Sequence, residues 1–269
     1  MLWGNSSTTT VSTSWIQRIQ ILLDVADALA YLHLIHKSIH QDLKSPNILL
    51  ERVVSNDAAT RSDKSVTHRA KLADFGLSKI FQDGKKRLAT REDMKNESSA
   101  KAIKAANWTG IKQKGFVGTP RWMAPEMMVG SVKIGPSVDI YSFGVVMWEV
   151  WAQRKPWSEL SDKREIFKVV KEEKRNLPSL KKKNENDVPE GYDTLMKRCY
   201  EYEFKKRPLI DFVRSQLQIL TESAARLDCL KKTAYAVTSH ANEEKNGDSN
   251  DAVDVENAMM GLELTTLTH

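Results

Sequence analysis

"HQDLKSPNILL", residues 40–50, sets Asp42, Lys44 and Asn47 close together at the mouth of an apolar run. What chemistry would need those three polar groups together is the question they raise; the apolar Ile48 to Leu50 that follows reads as part of a short strand. Upstream, Ile16, Ile19, Leu22, Leu23, Ala26, Leu29 and Leu32 recur at helical spacing between Thr13 and His36, and Ser14 and Gln17 are spaced as a capping box. A long amphipathic helix therefore leads into the polar loop. Downstream come a polar insert at about 52–68 and then "AKLADFGL", so two short strands around a loop are expected there.

Further along, residues 78–118 are polar and basic without steady periodicity, and read as a long mobile loop. Order resumes at "GTPRWMAPE". The segment "DIYSFGVVMWEVWA", residues 139–152, is apolar around most of its circumference, as in a helix buried at the centre of a domain. Asp162 to Lys174 and Gly191 to Tyr200 read as amphipathic helices, and Pro208 opens another that runs to about Glu222. Beyond Leu230 the chain is polar, with no aromatic after Tyr235, and reads as a disordered tail.

Composition narrows the class. The chain has 269 residues, of which 41% are hydrophobic and 28% charged. It contains no run approaching the roughly 18 apolar residues of a membrane span. The N-terminus lacks a basic segment followed by an apolar one, so an intracellular, cytoplasmic protein is expected. Two cysteines, Cys199 and Cys229, are too few for a disulfide framework. The net charge of +6 is local: between Leu77 and Gly118 ten Lys or Arg stand against four Asp or Glu, whereas from Leu230 onward three basic residues face seven acidic ones. Without aromatic platforms or zinc-finger spacing, that basic segment is a weak argument for a nucleic-acid partner.

Three separated motifs, His40-Gln41-Asp42-Leu43-Lys44-Ser45-Pro46-Asn47, Asp74-Phe75-Gly76 and Ala124-Pro125-Glu126, resemble the ordered signatures of the eukaryotic protein kinases. The resemblance extends to Asp139, at the start of what looks like the family's buried central helix, and to Arg207-Pro208. It implies an α+β protein-kinase-like fold, mainly helical with a few short strands. By domain, it implies a lead-in from the hinge at 1–12 and a C-lobe at 13–229, with a long activation loop at about 74–126 and the insert at about 52–68, ahead of the tail at 230–269. It also implies ATP and Mg2+ as cofactors. Asp42 would orient the acceptor hydroxyl and take its proton, Lys44 would place charge at the transferring phosphoryl group, and Asn47 and Asp74 would ligate Mg2+. Structural support would come from His40 packed with Phe75, from Gly76 and Thr119, from an ion pair between Glu126 and Arg207, and from Asp139 bonded to the catalytic-loop backbone. Tryptophans 122, 148, 151 and 157 read as packing residues.

Lys44 two residues after Asp42, with Gly118-Thr119-Pro120 before Trp122, looks like a Ser/Thr kinase of the tyrosine-kinase-like group. The partners expected are a protein carrying a Ser or Thr acceptor and an N-lobe-supplying or regulatory protein. Two departures stand out. Gln41 replaces the usual Arg of the His-Arg-Asp triplet, and a neutral amide cannot clamp an activation-loop phosphate bidentately. Phosphates on Thr90, Ser98, Ser99 or Thr109 would then act through the loop's basic residues or through a partner. Moreover, before His40 the only Gly is Gly4 and the only Lys is Lys37, so the Gly-rich loop and N-lobe Lys of the family find no match and an absent N-lobe is expected. The readings are thus a truncated Ser/Thr kinase whose complete form is active, a pseudokinase without an N-lobe that works as a binding module, or a basic-loop binder of nucleic acid or acidic surfaces.

Overall fold

The structure, a computed structural model, describes residues 14–55, 65–80, 111–114, 117–129, 131–180 and 188–226. The chain divides into two compact units, Met1–Ala225 and Arg226–His269, and all described residues except Arg226 lie in the first. Phosphoacceptor candidates Thr90, Ser98, Ser99 and Thr109, most of the basic segment, and the tail from 230 lie outside the described residues.

Among the described residues, five α-helices and three two-stranded antiparallel ladders follow in order. Helix α1, Trp15–Ala30, starts where the Ser14 hydroxyl accepts the Gln17 N–H at 3.4 Å, and widens into a π turn over Tyr31–Ile35. Ile19, Leu22, Val25, Ala26 and Leu29 form its buried stripe. Strand β1, Ser38–Ile39, pairs with β4, Lys79–Ile80. Strands β2, Ile48–Ser55, and β3, Ser65–Leu72, form a hairpin in register from Ile48↔Leu72 to Ser55↔Ser65. The hairpin runs four residues on each strand into the stretch read from sequence as a polar insert, because β-branched Val53, Val54, Val66 and Thr67 continue the ladder among the charges. It is tied to α1 where the Asp24 Oδ2 accepts the Ala70 N–H at 2.8 Å. Strand β5, Ile111–Lys114, pairs with β6, Ser131–Ile134, so part of the supposed mobile loop is in a ladder.

Helix α2, Ser137–Ala152, is the centre: every residue from Val138 to Val150 is buried. That follows from its apolar circumference, since each face must meet another element. It ends at Gln153 in the left-handed region, φ +52°, whose N–H returns to the Glu149 carbonyl. Helix α3, Lys163–Phe167, is opened by a capping box between Asp162 and Glu165 and continues as a wide turn over Lys168–Glu172. Helix α4, Tyr192–Cys199, packs on α2, where the Tyr192 hydroxyl donates to the Met147 carbonyl at 2.8 Å and the Trp15 and Tyr192 rings meet edge to face at 5.0 Å. Helix α5 spans 210–226, starting two residues after Pro208.

Gly144 permits the close crossing of α2 and α4. A Cβ there would stand 2.7 Å from the Tyr200 backbone nitrogen and 2.8 Å from the Cys199 Cβ. Gly144→Ala is accordingly expected to destabilise the domain by about 1–3 kcal/mol, as overpacking against backbone does, read as a lower urea midpoint at unchanged slope. Cys199 is a free, wholly buried thiol, and burial pushes its pKa up to about 12, which keeps it protonated and inert.

Candidate active site

Helix α2 holds the loop 40–47 from below. The Gln41 backbone sits at φ +68°, and this turn lets two successive N–H groups point the same way. His40 donates to Asp139 Oδ2 at 2.8 Å and Gln41 to Asp139 Oδ1 at 2.9 Å, and the His33 Nε2 lies 2.8 Å from the same Oδ2. A wholly buried carboxylate would be costly alone; these bonds are what make it tolerable.

The His40 imidazole is buried with both nitrogens engaged. Nδ1 accepts the Asp42 N–H at 3.3 Å, so Nε2 carries the proton and donates to the Ala73 carbonyl at 3.0 Å. That ring holds two loops together and has no free nitrogen with which to act as a base. Phe75 lies with its ring centroid 5.1 Å from that of His40, yet is 49% exposed. The hydrophobic support expected of it is therefore one-sided, with the other face of the ring open.

Asp42, Lys44 and Thr119 form a closed triangle. Lys44 Nζ donates to Asp42 Oδ2 at 2.6 Å and to Thr119 Oγ1 at 2.9 Å, and Thr119 Oγ1 donates to Asp42 Oδ1 at 2.8 Å. The carboxylate is thus fixed at both oxygens, buried to 8% exposure, with a cation beside it. Thr119 reaches it because Gly118, at φ +110°, lets its loop pass close to the Gln41 carbonyl, which a Cβ would meet at 3.1 Å. Asn47 turns its side-chain amide nitrogen to the Asp42 backbone carbonyl at 2.9 Å, and its backbone carbonyl accepts the Ala73 N–H at 2.9 Å. Asp74 follows Ala73, in the left-handed region at φ +62°, exposed, with Oδ1 3.4 Å from the Gly76 N–H. Ala73, bonded to both His40 and Asn47, brings Asp74 to the edge of the same loop.

Glu126 and Arg207 form the expected ion pair, bidentate at 2.6 and 2.8 Å. Arg121 donates to the carbonyls of Pro156, Trp157 and Leu160, fixing the 118–123 loop to the segment after α2. Sequence reasoning missed Glu149. It is wholly buried, accepting from Ser45 Oγ at 2.9 Å and from Trp122 Nε1 at 2.6 Å. The available signal was a lone carboxylate on the apolar helix α2. Trp122, read as packing alone, also donates this bond. Among the described residues no group of three or more His, Cys, Asp or Glu could hold a metal by itself.

The family model described as the protein kinase domain matches residues 6–217, a span that contains every residue of this site. The chain belongs to the protein kinase domain family. The kinase domain is 31% identical over 196 residues to the mitogen-activated protein kinase kinase kinase dlk-1 of Caenorhabditis briggsae, covering 73% of this chain and 17% of that protein. It is 27% identical over 216 residues to the dual specificity protein kinase shkD of Dictyostelium discoideum, covering 80% of this chain and 23% of that protein. With shkA, a dual specificity protein kinase of the same organism, it shares 27% identity over 253 residues, covering 92% of this chain and 39% of that protein. The kinase domain thus spans well under half the length of each of these relatives. Among its described residues no helix is long and apolar enough to cross a membrane.

Proposed function

We propose that this kinase domain transfers the γ-phosphoryl group of Mg-ATP to a serine or threonine hydroxyl of a protein substrate inside the cell. The observation that carries the reading is the Asp42 carboxylate, held at both oxygens by Lys44 and Thr119. Asp42 would orient the incoming hydroxyl and accept its proton; Lys44, at 2.6 Å, would offset charge on the transferring group. Positioning and charge neutralisation are the main catalytic means open to a protein in such a loose transition state.

The donor set suits Mg2+. The exposed Asp74 carboxylate and the side-chain carbonyl of Asn47, whose amide nitrogen is already spent on Asp42, are hard oxygens. Two protein ligands with the rest from phosphate and water is the usual pattern for this ion. When bound, the metal would neutralise phosphate charge. The name of one similar protein, the probable serine/threonine-protein kinase pats1 of Dictyostelium discoideum, supports the acceptor class. Residues 13–229 would be the substrate-side C-lobe, and the described residues hold no Gly-rich loop. A nucleotide-covering lobe is therefore taken to come from outside them, from further chain or from a partner.

The test is label transfer from γ-labelled ATP to a general protein acceptor, using the longest natural product that contains this chain, followed by phosphoamino-acid analysis. Label on serine or threonine that disappears with EDTA is the expected result. Label on tyrosine alone, or no transfer, would reject the proposal.

A further inference from the structure

Two loops run side by side beneath the acceptor site, 40–47 and 118–123, and they are joined at three levels. At the first, Gly118 passes against the Gln41 carbonyl. The second joins Thr119 Oγ1 to Asp42 Oδ1 at 2.8 Å. Three residues further along each loop, Ser45 and Trp122 are bridged by one carboxylate, Glu149, at 2.9 and 2.6 Å. All three members of the bridge are buried, Ser45 and Trp122 to about the same degree and Glu149 completely.

Helix α2 supplies the bridge as part of a polar stripe. Asp139, Ser142 and Glu149 are spaced three and seven apart, which puts them along one side of an otherwise apolar helix. Asp139 takes the backbone of His40 and Gln41, and Ser142 Oγ donates to the Trp122 carbonyl at 2.8 Å. Glu149 completes the set by holding both loops at once. A buried carboxylate does not earn its place by stabilising the helix, because an apolar residue of similar volume is often neutral or better. What an apolar residue cannot do is accept two hydrogen bonds from two different loops.

We infer that Glu149 is a positioning residue, which, through Ser45 and Trp122, sets the spacing between the two loops and so the contact between Asp42 and Thr119. The inference rests on the reading of Asp42 and Thr119 as the acceptor site. Glu149 touches neither substrate nor nucleotide; its effect passes through the loops.

The test separates the inference from the activity reading. Ser45→Ala removes one donor on the first loop and leaves the fold's core volume nearly unchanged. Amide hydrogen exchange is then followed on the other loop, at residues 119–123, in the unmodified and substituted proteins. Exchange there is expected to speed by about tenfold, the equivalent of one weakened charge-assisted hydrogen bond. Ser45→Thr, which keeps a hydroxyl, should restore the slow rate. Phosphotransfer is measured in parallel: KM for the protein acceptor should rise by about tenfold while KM for ATP stays within about twofold. If the unmodified protein transfers no phosphate, the activity reading fails and exchange alone decides this inference. Exchange at 119–123 unchanged in Ser45→Ala, or equally fast in Ser45→Thr, overturns it whatever the activity.

Discussion

Asp42→Asn is expected to lower the rate of the proposed phosphotransfer by about 10²–10⁴-fold, the range associated with losing a positioned general base. Asn has nearly the same shape, so its side-chain oxygen can still accept the Thr119 hydroxyl that now bonds Oδ1 at 2.8 Å. What it loses is the ability to take the acceptor's proton, and the negative charge that Lys44 Nζ approaches at 2.6 Å. Nucleotide binding should change by less than about threefold, because Asn47 and Asp74, not Asp42, are proposed as the metal ligands. Initial rates at saturating ATP, beside a nucleotide-displacement titration, separate the two effects. A variant that retains more than about a tenth of the activity would remove Asp42 from the proposed role.

The second large effect falls on stability and lies away from the chemistry. Arg207→Ala is expected to cost about 3–5 kcal/mol, because it strips the partner from a carboxylate that is only 11% exposed. All five guanidinium N–H groups are in use. Nε donates to the Glu201 carbonyl, Nη1 to Glu126 and the Ser137 carbonyl, and Nη2 to Glu126 and the Tyr202 carbonyl. The group also lies 4.9 Å from the Tyr141 ring centroid. One side chain thus joins the segment after α4, the start of α2 and the Ala124-Pro125-Glu126 turn. Arg207→Lys should recover little, since an ammonium cannot reproduce the bidentate fork or all five bonds. Chemical unfolding of both variants checks this, and full stability in the Lys variant would show that charge alone suffices.

Helix content and the central helix were legible because their signals are local: the stripe of α1 and the all-round apolarity of α2 follow from residue spacing. That Asp42, Lys44 and Asn47 lie on one loop follows from their spacing in sequence. The contact of Thr119 with Asp42 and Lys44 was not legible, because Thr119 is 75 residues from Lys44 in sequence and only the fold brings the two loops together. The reach of the hairpin was not legible, because Arg52, Thr67 and His68 gave the far ends of β2 and β3 the look of a polar insert while cross-strand pairing decided their conformation. Glu149 escaped for a related reason. Its partners lie 104 and 27 residues away, so nothing near it in sequence announces that a carboxylate is wanted there. The Phe75 ring lies beside His40 but is half exposed; exposure depends on what covers a ring, and sequence spacing carries no information about that.

The Asp24 carboxylate, set against the outward Ala70 N–H of the hairpin, has a consequence for solubility. An outward backbone donor on a rim strand invites a foreign strand to dock, which is how sheets zip together between molecules. Here that donor is already satisfied by a charged group from a neighbouring helix, and an approaching chain would have to displace it. The hairpin therefore does not offer its Ala70 N–H as a template for cross-β stacking.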